Sequence, residues 1–274
     1  MKKLNVLMLI LSVVVFSSCK EKPGKEKSED ITVNGVSFEM VKVEHGTFTM
    51  GTPESQVDSV SSGALSHEIP THEVTISKDF YIGRYPVTQK LWKAVMGEES
   101  GDQWSSDNGL GDDYPVYYVS WTECQTFIAQ LNELTGKTFR MPTEAEWEYA
   151  ARGGNKSKGY IYAGSNDIYS VAWHAGFKGA EKVGGKSPNE LNLYDMSGNI
   201  YEWCSDYYSS TYYESSPSVD PQGPEKANGW NKYSRSIRGG CWNSQPSGCR
   251  VSARGQADGT KRSSIVGLRL VMVQ

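Results

Sequence analysis

Cysteines stand at 19, 124, 204, 241 and 249 of the 274-residue chain. Cys241 and Cys249 lie eight residues apart with Ser244 between them. Two thiols on one loop can hold a soft metal ion, close a disulfide, or sit side by side as buried apolar groups. No Cys-x-x-Cys occurs, which argues against thioredoxin chemistry and against a zinc ribbon. With Cys19 set aside, the other four permit two bridges in an oxidising compartment, and the pairing is not readable from spacing. His45, His67, His72 and His174 have no metal spacing with another ligand and read as structural or solvated. No Gly-x-Ser-x-Gly, His-Glu-x-x-His or phosphate-cradling glycine loop is present. Tyr207-Tyr208 and Tyr212-Tyr213, in a serine-rich stretch, offer either a stacking surface for a glycan or peptide, or loop packing. Arg140, Glu144, Glu146, Trp147 and Arg152 read as a helix cap with a buried ion pair.

The elements that would position these groups are short. Val33 to Glu44 alternates apolar and polar residues around Asn34-Gly35, the signature of strand and hairpin. Glu73–Ser77 and Phe80–Arg84 are further strands. Thr88 caps a helix from Gln89 to Met96, which Gly97 ends. Ser120 with Glu123 forms a capping box for a helix whose apolar stripe is Trp121, Cys124, Phe127, Ile128, Leu131 and Leu134. Thr143 with Glu146 forms a second box, for a helix that stops at Arg152-Gly153-Gly154. Beyond it only loops and short strands are expected. Twenty-eight glycines and few long helices point to an irregular, loop-rich α+β domain. A formal charge of −4 with no long basic run excludes nucleic acid as a partner.

The N-terminus reads as an export signal. Lys2-Lys3 precedes an apolar run from Leu4 to Phe16 that falls short of the ~20 residues of a membrane-spanning helix. Ser17-Ser18-Cys19 resembles a bacterial lipobox, making Cys19 the lipidation site and residues 1–18 a cleaved signal peptide. Acyl chains on Cys19 would hold the protein to a membrane. Lys20 in place of aspartate favours the outer membrane. Residues 19–32 are expected to form a disordered charged tether, and 33–274 the folded domain.

Several segments, in order, resemble one family. They are Gly46-Thr47-Phe48-Thr49-Met50-Gly51, Pro70-Thr71-His72-Glu73-Val74, Tyr85-Pro86-Val87-Thr88 and the stretch from Tyr114-Pro115-Val116 to Val119-Ser120-Trp121. Arg140-Met141-Pro142-Thr143-Glu144-Ala145-Glu146-Trp147-Glu148 and Leu193-Tyr194-Asp195-Met196-Ser197-Gly198-Asn199-Ile200-Tyr201-Glu202-Trp203 are the most specific. Arg238-Gly239-Gly240, Cys249-Arg250-Val251-Ser252-Ala253-Arg254 and Gly267-Leu268-Arg269-Leu270 complete the series. Together they resemble the formylglycine-generating enzymes, or sulfatase-modifying factors. The resemblance implies a C-type-lectin-like fold. It also implies two cysteines, five residues apart after Arg-Gly-Gly, that bind copper(I) as thiolates. Counted forward from Gly239-Gly240 those positions fall on Ser244 and Cys249; counted back from Arg250 they fall on Cys241 and Pro246. Neither anchor gives two thiolates, and a serine hydroxyl is too hard a donor to replace one, so copper is not expected. The resemblance further implies calcium held by Asp195, Gly198, Ile200 and Glu202, whose oxygen donors suit a hard cation, and a second calcium site near Ser170–Trp173.

The expected function is therefore that of a lipid-anchored binding or assembly component of the bacterial envelope, with a protein or peptide partner. One alternative is a formylglycine-generating oxidase that matures sulfatases with Cys241 or Cys249 as the working thiol. Another is a glycan-binding, lectin-like domain.

Overall fold

The computed structural model describes residues 27–59, 65–98 and 103–273. The expected signal peptide, Cys19 and the tether as far as residue 26 lie outside the described residues. The remainder of that tether is not a tether. Strand β1 (Ser28–Val33) pairs antiparallel with β2 (Val36–Val43). Asp30 of β1 faces outward and Glu29 pairs with Lys137, while Ile31 and Val33 alternate into the core. Two apolar residues at period two, beside a ready partner strand, outweigh the polar composition that suggested disorder. Asn34 and Gly35 turn the hairpin with φ of 46° and 80°, as a two-residue primed turn requires.

Strands β3 (Gly46–Met50) and β4 (His72–Ile76) form a separate ribbon. Strand β5 (Phe80–Gly83) extends the first hairpin through β2. Helix α1 (Gln89–Met96) follows, and the Thr88 hydroxyl accepts from Leu91 N at 3.2 Å. Helix α2 (Trp121–Thr135) has both halves of the expected capping box. Cys124, Phe127, Ile128 and Leu131 of its stripe are buried, whereas Leu134 is exposed. The Phe127 ring stacks on Trp92 of α1 with centroids 4.8 Å apart, joining the two helices.

Strand β6 (Thr138–Arg140) leads to helix α3 (Glu144–Ala151), again closed by its capping box. A one-turn helix, α4 (Ile168–Val171), appears where only loops and strands were expected. Strands β7 (Tyr201–Tyr207), β8 (Ser234–Arg238), β9 (Arg254–Asp258) and β10 (Val266–Gly267) build a four-stranded sheet in the order β10-β7-β8-β9. The last strand, β11 (Val271–Val273), returns to the first sheet between β5 and β6, giving the order β1-β2-β5-β11-β6. Curled sheets, few helices and long connections make this the α+β, loop-rich, lectin-like architecture that the motifs implied.

One apolar cluster lies under α1 and α2, with Trp92, Phe127, Leu131 and Trp203. A second surrounds α3, with Val74, Ile82, Trp147 and Met196. All eight residues of α3 are buried, including three glutamates. A helix buried on every side cannot leave carboxylates unpaired, so cations must come from elsewhere in the chain.

Candidate functional site

The two late cysteines are positioned by the turn that ends β8. Gly239 and Gly240 take φ of 99° and 75°. A side chain at Gly240 would begin 2.7 Å from Cys249 Sγ, so this glycine lets the loop fold back on itself. Cys241 Sγ donates to Asn243 Oδ1 at 2.9 Å and lies 3.2 Å from Ser244 Oγ. The Ser244 hydroxyl accepts from Cys241 N at 3.0 Å and donates to the Tyr201 hydroxyl at 3.3 Å. Cys249 ends a short 3-10 turn and packs with Ile168, Val171 and Ala172, with Tyr162 alongside. Cys241 and Ser244 are thus in contact, and Cys249 Sγ lies against the adjoining Gly240.

All four described cysteines are free and buried, so neither permitted bridge is formed. Burial, with a further contribution from Cys241, pushes the Cys249 thiol up to about 12. Burial also raises the Cys241 thiol. In the metal-free protein burial favours the neutral form of both thiols, so a metal ion binding here would have to displace their protons. Among the described residues, no three His, Cys, Asp or Glu side chains converge as a metal cage.

The turn around Asp195 is also built from buried polar groups. Asp195, Gly198 and Asn199 all have positive φ. Asp195 Oδ2 accepts from Gly184 N at 2.7 Å, and its Oδ1 from Asn199 Nδ2 at 3.3 Å. Burial raises the Asp195 carboxyl to about 6, against the pull of the Gly184 amide. Glu202 accepts from Arg269 Nε at 2.9 and 3.0 Å and from Trp147 Nε1 at 2.6 Å. Both Glu202 and Arg269 are fully buried. As a calcium cage, Asp195, Gly198, Ile200 and Glu202 do not fit. Glu202 is committed to a buried guanidinium, and a divalent ion there would be pressed against that cation. At the second expected calcium position, the Ser170 and Trp173 carbonyls accept from the Ser187 and Asn199 amides.

Arg140 and Glu146 pair through two contacts of 2.6 Å, but Arg140 is 37% exposed, so this is not the buried ion pair that was expected. The larger network was not foreseen. Glu144 meets Arg254 at 2.8 Å through both oxygens, and Arg238 at 3.3 Å. Glu148 meets Arg152 at 2.6 and 2.9 Å, the Gly51 amide at 2.9 Å, and the same Arg238. Glu68 holds Arg250 through two contacts of 2.8 Å. Burial alone would raise Glu144 and Glu148, but the guanidiniums beside them hold both carboxyls below their ordinary value. Asp206 caps the helix by accepting from Glu144 N at 2.9 Å. Burial and the Glu144 charge push its carboxyl up to about 7.

A signal for this network was available. Arg238, Arg250, Arg254 and Arg269 crowd the last forty residues, while Glu144 and Glu148 repeat at four-residue spacing on one helix. One member of each tyrosine pair belongs to the same interior, while Tyr207 and Tyr212 are partly exposed. Tyr208 and Tyr213 are buried, with the Arg254 guanidinium 5.0 and 4.1 Å from their ring centres, and present no stacking surface.

Known proteins agree with this geometry. Residues 27–273 match the sulfatase-modifying factor enzyme 1-like domain. The chain is 30% identical to the chaperone protein LppX of Paenibacillus barcinonensis, over 99% of both chains. It is 33% identical to the formylglycine-generating enzyme of Streptomyces coelicolor, but that match takes in 62% of this chain and only 58% of the enzyme. Treponema denticola variable protein 1 superposes with a TM-score of 0.76 at 26% identity, covering 89% of this chain and 98% of its own. With a shared motif series, a matching architecture and a domain match across nearly the whole described length, the chain belongs to the sulfatase-modifying factor enzyme 1-like family.

Proposed function

We propose that this protein is a binding or assembly component of the bacterial envelope rather than a copper oxidase, anchored by lipid at Cys19 and facing a protein partner. The observation that carries the reading is the state of the two late thiols. Cys241 directs its hydrogen at Asn243 Oδ1 and sits against the Ser244 hydroxyl, and Cys249 is sealed among Ile168, Val171 and Ala172. A linear dithiolate needs two sulfurs facing one ion, and here Cys241 is turned to Asn243 and Ser244 while Cys249 packs into an apolar cluster. The chaperone relative, alike over the full length of both chains, supports an assembly role. The apolar run before Ser17-Ser18-Cys19 supports the anchor, and Lys20 supports the outer membrane.

The test joins two assays. The full-length protein is incubated with copper(I), oxygen and a Cys-x-Pro-x-Arg peptide, and the peptide mass is followed. No aldehyde is expected; conversion of the cysteine to formylglycine overturns the reading and restores the oxidase. In parallel, Cys19→Ala is expected to move the protein from the membrane fraction to the soluble one. An unchanged distribution removes the anchor.

A further inference from the structure

Each of the nine arginines of the chain is described, and eight of them face a carboxylate. Arg235 is the exception: no carboxylate lies within ion-pair distance of it among the described residues. Its guanidinium is instead clamped between two rings, 3.8 Å from the centre of Trp121 and 3.5 Å from that of Tyr207. One of its N–H groups donates to Ser205 O at 2.8 Å. The clamp itself is anchored, because Trp121 Nε1 donates to Cys204 O at 2.9 Å. Stacked in this way, the guanidinium keeps its charge and its planar fork while losing freedom to turn, which is the arrangement that favours a two-point contact to a carboxylate.

Arg235 opens into a concavity of about 90 Å³ lined by Trp121, Thr122, Tyr207, Tyr233, Gly259 and Thr260. That space admits a carboxylate and its adjoining carbons. Asp206, whose charge reaches Arg235, is turned to the Glu144 amide at 2.9 Å, and Asp258 is engaged by Thr260 and Asn231 at 2.7 and 2.9 Å, so neither pairs with Arg235. Lys232 lies 5.0 Å from the Tyr233 ring, adding positive charge at the rim. Strand β9 is the edge of its sheet and runs directly into Gly259 and Thr260. Beside it the turn from Trp230 to Tyr233 is fixed by Trp230 N to Gln256 Oε1 at 2.8 Å and Tyr233 N to Asn231 Oδ1 at 2.7 Å. It holds an indole that is 76% exposed and a phenol that is 46% exposed.

We infer that this concavity is a docking site for the carboxylate of an extended peptide, with Arg235 gripping the acid and the Trp230–Tyr233 turn covering an apolar residue next to it. A sheet edge that ends at a positive notch is suited to a chain end, where a backbone and a terminal carboxylate arrive together. The inference rests on the reading of a binding component and names the chemistry of its partner.

The probe is acetyl-Ala-Leu-Phe with a free carboxylate, compared with its C-terminal amide and with glucuronate, titrated into the full-length protein by calorimetry and by tryptophan fluorescence. The free acid is expected to bind at least tenfold more tightly than the amide. Arg235→Gln is expected to abolish that preference, Arg235→Lys to keep a weakened form of it, and Tyr233→Ala to weaken both peptides while leaving the acid preferred. Tyr233 is at the surface, so this last variant separates docking from folding. Equal affinity for acid and amide, binding of glucuronate alone, or no binding at all overturns the inference. Aldehyde formation in the copper assay would retire the binding-component reading without touching these titrations, so the two failures are distinguishable.

Discussion

Glu148→Gln is the substitution that most directly probes the interior of α3. The wild-type carboxylate is fully buried and accepts from Arg152, Arg238 and the Gly51 amide. The amide is nearly isosteric, so no cavity is made and the loss is one of charge. Two carboxylates, Glu144 and Glu148, face three guanidiniums in this cluster: Arg152, Arg238 and Arg254. Removing one leaves Arg238, itself fully buried and with Nε already unpartnered, to share Glu144 with Arg254. Breaking a buried pair in this way costs about 3–5 kcal/mol, because the remaining charge can neither pair nor reach water. In a domain of this size that corresponds to a fall in Tm of roughly 6–20 °C, at 2–4 °C per kcal/mol. Urea melts at pH 7 measure it, with Arg262→Gln as control, since the half-exposed Arg262–Glu123 pair contributes below about 1 kcal/mol. The gap should close in acid. Glu148 is held below its ordinary value, so its contribution is present above the unfolded-state pKa and lost as pH falls through the folded one. A loss under about 1 kcal/mol at pH 7, or a gap that widens in acid, refutes the argument.

Asp206 should show the opposite sign. Its carboxyl is raised to about 7, so its contribution is complete below the unfolded value and disappears as pH rises through 7. Stability of the wild type should decline between pH 5 and 8, and Asp206→Asn, which can still accept from the Glu144 amide, should flatten that decline; an identical slope in both proteins counts against it. Iodoacetamide at pH 8 should leave Cys124, Cys204, Cys241 and Cys249 unlabelled in the native protein and label all four in denaturant, because the thiols are buried and protonated; rapid native labelling of Cys241 or Cys249 would contradict this. Neither excess EDTA nor added calcium should shift the melting midpoint, since Glu202 is committed to Arg269; a calcium-dependent rise would restore the cage.

Local rules carried much of the fold. The capping boxes at Ser120 and Thr143, the Thr88 cap and the Asn34-Gly35 turn stand where residue type alone put them, because each is decided within four residues. The ordering of Ser28–Thr32 was missed for the complementary reason. Its charged residues satisfy a disordered composition, and only the pairing with Val36–Val43 rewards Ile31. At the site, the clustering of Cys241, Ser244 and Cys249 was readable from the Gly239-Gly240 anchor. The raised thiol of Cys249 depends on packing against Ile168, Val171 and Ala172, more than seventy residues away in sequence. The assignment of Glu202 turned on Arg269, and only the folded chain brings a carboxylate to that guanidinium across 67 positions.

The position of β11 also has a consequence for how the molecule is made. Because it lies between β5 and β6, its three residues join segments synthesised long before. Until Val271–Val273 is in place, β5 and β6 each present an unsealed flank, and such flanks invite mispairing. A chain cut just before Val271 would lack the strand that joins β5 to β6, so it should yield insoluble product rather than a slightly shorter protein.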